Sequence, residues 1–118
     1  MEHKESFHEK LRALMDTYVH AVYDATKKFP QDELFGATSQ LKRSALSVVL
    51  NYIEGYARQQ KNTYRHFLEI SYGSLKESQY LVEFSRQRGY ISAVICKDIL
   101  QYGEEIGAML WSTISKMK

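Results

Sequence analysis

The segment "FPQDELFGATSQLKRSALSVVLNYIEGYAR", from Phe29 to Arg58, decides the fold. Between Leu41 and Ala57 its apolar residues recur with the period of an α-helix. They cover about 200° of the helix surface, whereas a helix packed on one side needs an apolar arc of only about 100°. A helix that is apolar over so broad an arc must be covered on more than one side.

The remaining arc of this helix carries small polar residues centred on Asn51. We call it the polar seam: Gln40, Ser44, Ser47, Asn51, Gly55 and Arg58, with Arg43 and Glu54 at its edges. A solvent-facing arc usually carries Lys, Glu and Gln, whereas Ser and Gly let another backbone come close. We therefore interpret the seam as a contact surface, with a plain solvent face as the alternative. The predicted structural or subunit-contact residues are Ser47, Asn51, Glu54, Gly55 and, on the next helix, Gly73.

Three other stretches share the helical period. The four predicted helices cover residues 4–28, 38 or 39 to 58, 62–87 and 92–117. Pro30 stops the first, Gly36 interrupts the approach to the second, and Gly89 follows the third. Suitable N-cap residues are Thr38 or Ser39 for the second helix, Asn62 or Thr63 for the third, and Ser92 for the fourth.

Four long helices joined by short connections predict an all-α fold, an antiparallel up-down-up-down four-helix bundle that forms one domain over residues 1–118. No stretch alternates as a strand does. The third helix also carries a second apolar side, formed by Ile70, Gly73, Leu81 and Phe84. Two apolar sides on one helix predict a contact between subunits and therefore a homo-oligomer.

Composition narrows the functional classes. The 118 residues carry a net charge of +2, which is too small to announce nucleic-acid binding. Cys96 is the only cysteine, so no internal disulfide can form, and a reducing, cytoplasmic location is expected. No apolar run approaches about 18 residues, so we expect no membrane span. The first ten residues, MEHKESFHEK, are charged and polar, so we expect no signal peptide.

Signatures of catalysis are missing from the sequence. Glu5-Ser6-Phe7-His8 is one Glu-x-x-His pair, but a di-iron bundle needs two such pairs and two more carboxylates. There is no P-loop, no G-x-S-x-G and no metal-spaced Cys/His set. We therefore expect no enzyme, no metal and no cofactor.

Positive charge concentrates between Lys27 and His66, a stretch that contains seven Lys and Arg residues but only three Asp and Glu residues. Tyr56 and Tyr64 lie among these residues and could stack on bases, although core packing is the commoner use of a Tyr. One hypothesis is a non-catalytic oligomer that binds RNA or DNA. The other is a protein-interaction scaffold, such as an accessory subunit of a partner enzyme. For the first, the candidate nucleic-acid-binding residues, here called the basic patch, are Lys42, Arg43, Arg58, Lys61 and Arg65.

Several short motifs stand in a characteristic order. They are Phe29-Pro30, Phe35-Gly36, Thr38 to Ser44, Asn51-x-x-Glu54-Gly55, Phe67-Leu68, Gly73-Ser74 and Arg88 to Ile91. In this order they resemble the bacterial four-helix-bundle family encoded in intervening sequences of 23S rRNA genes. Lys42, Ser44, Ser78 and Gln79 depart from the usual residues of that family.

The resemblance covers about residues 20–115. It implies a four-helix bundle that assembles into a ring-like homo-oligomer, a pentamer. The fold is also similar to that of the accessory protein of diversity-generating retroelements, a basic bundle that assists a reverse transcriptase. The molecular function of the family is poorly defined, so the resemblance implies a fold rather than an activity.

Overall fold

The computed structural model describes residues 5–58 and 60–117. Its four helices are α1 (Phe7–Thr26), α2 (Ser39–Arg58), α3 (Lys61–Gln87) and α4 (Ala93–Ser115). No strand occurs in this part of the chain, so the predicted all-α class with four helices is confirmed. None of these helices is both long and apolar enough to cross a membrane.

The start of α1 is fixed by a capping box. The Ser6 hydroxyl accepts a hydrogen bond from the backbone N–H of Glu9 at 3.1 Å, and the Ser6 N–H donates to the Glu9 carboxylate at 3.3 Å. The predicted start near residue 4 lies outside the described residues. The helix ends at Thr26, two residues before the predicted end.

The start of α3 corrects the prediction of Asn62 or Thr63 as its cap. The cap is Gln60, whose side-chain oxygen accepts from the N–H and the hydroxyl of Thr63, each at 2.8 Å. The helix begins at Lys61, and the Gln60 side chain reaches forward to Thr63 over its first turn. At α4 the predicted cap, Ser92, is confirmed, with its hydroxyl 3.1 Å from the N–H of Ile95.

The connection from α1 to α2 is a 3₁₀ turn (Gln31–Glu33) followed by a π-helical segment (Leu34–Thr38). The predicted interruption at Gly36 is confirmed by non-helical dihedral angles there. The predicted cap at Thr38 or Ser39 is wrong, because the π segment runs directly into α2. The Glu33 carboxylate accepts instead from the Tyr90 hydroxyl at 2.7 Å and from the Ala37 N–H at 3.2 Å. These two bonds lower the pKa of Glu33 and tie the connection to the turn between α3 and α4.

One core lies between the helices. α1 packs on α2 and α4, and α3 also packs on α2 and α4. Burial of Leu, Ile, Val, Tyr and Met side chains supplies the main stabilisation. The largest fully buried side chains include Leu11, Met15, Tyr18, Leu41, Tyr52, Leu68, Leu75, Ile99, Ile106 and Leu110.

Three serines of α3 enter this core at seven-residue intervals, namely Ser71, Ser78 and Ser85. Each donates to a backbone carbonyl, so no hydroxyl is left without a partner. Because Ser78 donates to Leu75, it accepts from the buried hydroxyl of Tyr18 at 2.7 Å. Their small side chains leave room for the larger residues that face them.

Burial of the Tyr18 hydroxyl makes stability sensitive to high pH. Desolvation raises the pKa of Tyr18 from 10.0 to about 12, against a smaller lowering by the Ser78 hydrogen bond. Above pH 10 the unfolded chain releases this proton first, so the free energy of unfolding falls as pH rises toward 12. Two pKa units correspond to about 3 kcal/mol. Urea titrations between pH 9 and 12 should show that fall, and Tyr18→Phe should reduce it. An identical pH dependence in the variant would contradict this role.

Candidate functional site

The polar seam of α2 faces α3 of the same chain. The hydroxyls of Ser47 and Ser74 lie 2.8 Å apart. The Asn51 amide donates to the hydroxyl of Ser47 at 2.8 Å and to its carbonyl at 2.9 Å. One turn away, Ser71 of α3 donates to the Val48 carbonyl of α2 at 2.7 Å. The polar atoms of the seam therefore find their partners inside one subunit.

Gly55 lies at a close approach of these two helices. A Cβ atom added there would lie 2.7 Å from the Cβ of Phe67 and 3.3 Å from the backbone oxygen of Tyr64. Such a position is closed to any side chain unless the helices move apart. Gly73 is the opposite case, because it is exposed and an added Cβ would meet no described atom within 4 Å.

The rest of the polar seam faces solvent. Gln40, Arg43, Glu54 and Arg58 are exposed, whereas Ser44 and Gly55 are buried. The guanidinium of Arg58 pairs with the Glu54 carboxylate one turn earlier, with its Nε 3.1 Å from Oε1. The seam is thus a contact along one edge and a solvent face along the other.

The five residues of the basic patch fall into two groups. Lys42 and Arg43 lie near the start of α2, and the other three lie around the turn into α3. Fifteen residues of helix separate Arg43 from Arg58, which is about 22 Å. The Lys42 ammonium lies 4.8 Å from the centre of the Tyr23 ring, and Arg43 is exposed. The structure therefore does not bring the five together on one surface.

Local contacts already engage two residues of the second group. Besides its pair with Glu54, Arg58 lies over the Phe67 ring at 5.6 Å. Arg65 lies 3.2 Å from the Glu69 carboxylate and donates to the Met117 carbonyl at 3.2 Å. Lys61 is exposed in the first turn of α3.

An aromatic cluster at the same end of the molecule was not foreseen from the sequence. His8 Nδ1 lies 2.7 Å from the Tyr52 hydroxyl, and the His8 ring stacks on Tyr56 at 3.8 Å. Tyr64 meets Tyr56 edge-on at 6.1 Å, and burial raises the pKa of Tyr52. Because 44 residues separate His8 from Tyr52, no local pattern could have joined them. The cluster holds the start of α1 on the end of α2.

Two other surfaces of α2 and α3 point away from the core. The α2 outer face comprises Arg43, Leu46, Leu50, Ile53 and Ala57, and the α3 outer face comprises His66, Ile70, Gly73, Glu77, Tyr80 and Phe84. Leu50 is 54% exposed and Tyr80 is 68% exposed. Leu46 and Phe84 are half-buried, and Leu46 also packs in part against the core. Leu81, predicted to belong to the second apolar side of α3, instead packs against the core.

Reactive groups do not converge anywhere in the described residues. No group of three or more His, Cys, Asp and Glu could hold a metal there. His8 is bound to Tyr52, and Glu5 is exposed. Cys96 is buried, with its thiol 3.5 Å from the Glu83 carboxylate, and burial together with this bond raises the thiol pKa. The thiol therefore stays protonated at neutral pH and is a poor nucleophile.

Residues 10–112 match the family described as 23S rRNA-intervening sequence protein. The chain belongs to this family. The match includes every residue of the polar seam and of the basic patch. It confirms the resemblance carried by the motifs between Phe29 and Ile91.

A solved structure supports the fold of this 23S rRNA-intervening sequence protein family member. It is a crystal structure of a protein with unknown function from the S23 ribosomal protein family of Bacteroides thetaiotaomicron, with a TM-score of 0.81. The alignment covers 88% of this chain and 97% of the other at 21% identity, so it shows a shared fold alone. No functionally curated protein matches the chain.

The contact at Gly55 predicts a sharp loss of stability on substitution. Gly55→Ala should lower the free energy of unfolding by about 1–3 kcal/mol, because the new methyl group overlaps Phe67. Gln101→Ala, at an exposed position of α4, is the matched control and should change it by less than about 0.5 kcal/mol. Urea denaturation followed by circular dichroism measures both. A stabilised Gly55→Ala variant would contradict the close contact, because it would mean that Phe67 leaves room for a methyl group at Gly55.

Proposed function

We propose that the protein is a non-catalytic homo-oligomer of up-down-up-down bundles that associates with RNA. The observation that carries this proposal is the pair of apolar outer faces on α2 and α3, which a monomer would leave in water. A monomeric protein rarely exposes apolar patches of this kind without a partner. The lone, buried Cys96 fits a reducing compartment such as the cytoplasm.

The proposed topology is supported by the order of the contacts between helices. Along α2 and α3, Ser47 meets Ser74, whereas the later Gly55 lies beside the earlier Phe67. The contacts of α3 with α4 run in the same opposed order, since Tyr72 meets Trp111 and Glu83 meets Cys96. Opposed order along adjacent helices is what antiparallel packing produces.

RNA association is proposed at the end formed by the turn between α2 and α3. Arg58, Lys61 and Arg65 lie there, close to the end of α4. The carboxylate pairs of Arg58 and Arg65 are at the surface, where such a pair contributes only about 0–1 kcal/mol, so a phosphate can replace the carboxylate. In a ring, which the family resemblance implies to be a pentamer, this basic end would be repeated in each subunit.

RNA is proposed ahead of DNA because the family is named for an intervening sequence of 23S rRNA. Phosphate contacts of this kind do not read sequence, so DNA is the comparison ligand. The stacking rings proposed from the sequence, Tyr56 and Tyr64, are already engaged with His8 and with each other. Binding through charge, rather than through base stacking, is therefore the form we propose.

A second candidate function is a scaffold or accessory subunit for a partner enzyme such as a reverse transcriptase. The observation that favours it is Trp111, which is 58% exposed on α4. Its ring is supported by Tyr72 at 5.8 Å. A large aromatic held on the surface is typical of the anchors that dominate protein–protein interfaces.

Self-association is the first test. Light scattering at micromolar concentration should give a mass that is a multiple of the 13.8 kDa chain. Association should persist at high salt, because apolar burial, unlike surface charge, is not screened. A particle of 13.8 kDa across this range would contradict the proposed homo-oligomer.

RNA binding is tested by removing two cations from the basic end. Arg58→Gln with Lys61→Gln should weaken binding to every RNA sequence alike, since both residues are proposed to contact phosphates. Each lost contact should also flatten the dependence of log affinity on log salt by about 0.7 for single-stranded RNA. Fluorescence anisotropy over a salt series, with RNA and DNA of equal length, measures this slope.

The matched control is Lys76→Gln with Lys97→Gln, two exposed lysines outside the basic patch. It removes the same charge and should leave the slope unchanged. Both double variants should keep the thermal unfolding curve of the original protein, because the surface pairs contribute little. Equal affinity of the Arg58→Gln and Lys61→Gln variant and the original protein at low salt would contradict RNA association and favour the scaffold function.

A further inference from the structure

The two outer faces share the residue spacing of a coiled-coil seam. Positions 43, 46, 50, 53 and 57 of α2 are separated by alternating steps of three and four. Positions 66, 70, 73, 77, 80 and 84 of α3 follow the same rule. This spacing describes a narrow stripe that packs against one other helix. Within the described part of the chain most residues of both stripes are exposed, and Leu46 alone among them also packs in part against the core.

We propose that the α2 outer face of one copy packs antiparallel on the α3 outer face of the next copy, with Arg43 beside the partner copy's Glu77. This inference rests on the proposed homo-oligomer and names the surface that forms it. The contact joins two different faces, so each subunit uses one face toward each neighbour. Contacts of this head-to-tail type do not make two-fold dimers, and they close into a ring where the rotation between neighbours allows it.

The shape of the α3 outer face is the first argument that a second copy of the chain covers it. Gly73 lies in the middle of α3, where glycine costs about 1 kcal/mol relative to alanine. Apart from its chain neighbours and the backbone of its own helix, no described atom lies within 4 Å of the Cβ that it lacks, so no packing contact within the described chain requires the glycine. It leaves a gap between Ile70 and Glu77 on the α3 outer face. The leucines of the α2 outer face are side chains of the size that fills such a gap.

Charge is the second argument. Arg43 is the one cation of the α2 outer face, and Glu77 is the one carboxylate of the α3 outer face. Neither has an ion pair or a side-chain hydrogen bond among the described residues. Either charge, covered without a partner, would oppose association strongly. Together they pair, and a polar pair within an apolar seam fixes its register.

The direction of the contact follows from that register. With Arg43 opposite Glu77, antiparallel helices bring Leu46 to Gly73 and Leu50 to Ile70. The same register places the segment that carries Phe35, 91% exposed, near the Phe84 end of the seam. Parallel helices would instead carry Ile53 and Ala57 to and past Gln87, where α3 ends. The antiparallel arrangement keeps every residue of the α2 outer face opposite α3, with Tyr80 and Phe84 opposite residues 40 and 36.

Charge exchange tests the pairing. Arg43→Glu and Glu77→Arg, each alone, should reduce the mass measured by light scattering to 13.8 kDa, and the two together should restore the mass of the original protein. The matched controls are Lys97→Glu and Glu105→Arg, exposed reversals on α4, which should leave assembly intact. Circular dichroism melts establish that every variant is folded.

Complementation tests the head-to-tail arrangement. Leu50→Asp disables the α2 outer face and Ile70→Asp disables the α3 outer face, so each variant alone should be a monomer. Mixed together, they retain one intact face each and should form a heterodimer of twice 13.8 kDa. If Ile70→Asp still assembles alone, or the mixture stays monomeric, the head-to-tail contact is wrong.

The outcomes separate this inference from the proposed function. An original protein that assembles, with folded Arg43→Glu and Glu77→Arg variants that assemble equally well, overturns the proposed faces and leaves the homo-oligomer standing. An original protein that is monomeric overturns both. The RNA-binding assay does not depend on either result, because the residues tested there lie outside both faces.

Discussion

The close contact between α2 and α3 is the constraint on which the rest of the structure depends. Gly55 has no side chain because the Cβ of Phe67 occupies that space. Serines and an asparagine continue the contact, so the two backbones stay close over several turns with their polar atoms bonded.

This contact determines which neighbours the broad apolar arc of α2 can pack against. Because small polar residues line the side toward α3, the broad apolar arc must serve both the core and a third direction. Tyr52 and Leu41 are buried in the core, while Leu50 and Ile53 face outward. Leu50 is 54% exposed and Ile53 is 41% exposed, and the proposed contact with a second copy would cover them. The proposed self-association would follow from how α2 divides its surface.

Much of the fold was predictable because local rules carry it. Pro30, Gly36 and Ser92 marked boundaries through their own backbone chemistry, and periodicity gave the four helices. What failed depended on neighbours. The cap of α3 is Gln60, whose side chain accepts from Thr63. The Glu33 carboxylate is held by Tyr90, 57 residues away, and Leu81 packs in part against the core. For the candidate site, charge counts could nominate the basic patch but could not show that Arg58 lies over the Phe67 ring or that Arg65 donates to the Met117 carbonyl.

A cysteine pair measures the central contact most directly. Ser47→Cys and Ser74→Cys, introduced together with Cys96→Ser, replace two hydroxyls that lie 2.8 Å apart. Mild oxidation should form a disulfide within one chain, seen on a denaturing gel as a faster monomer that reverts on reduction. A tagged and an untagged chain, oxidised as a mixture, should give no mixed dimer through this pair. A disulfide between chains, or none at all, would contradict the contact between α2 and α3 and the account built on it.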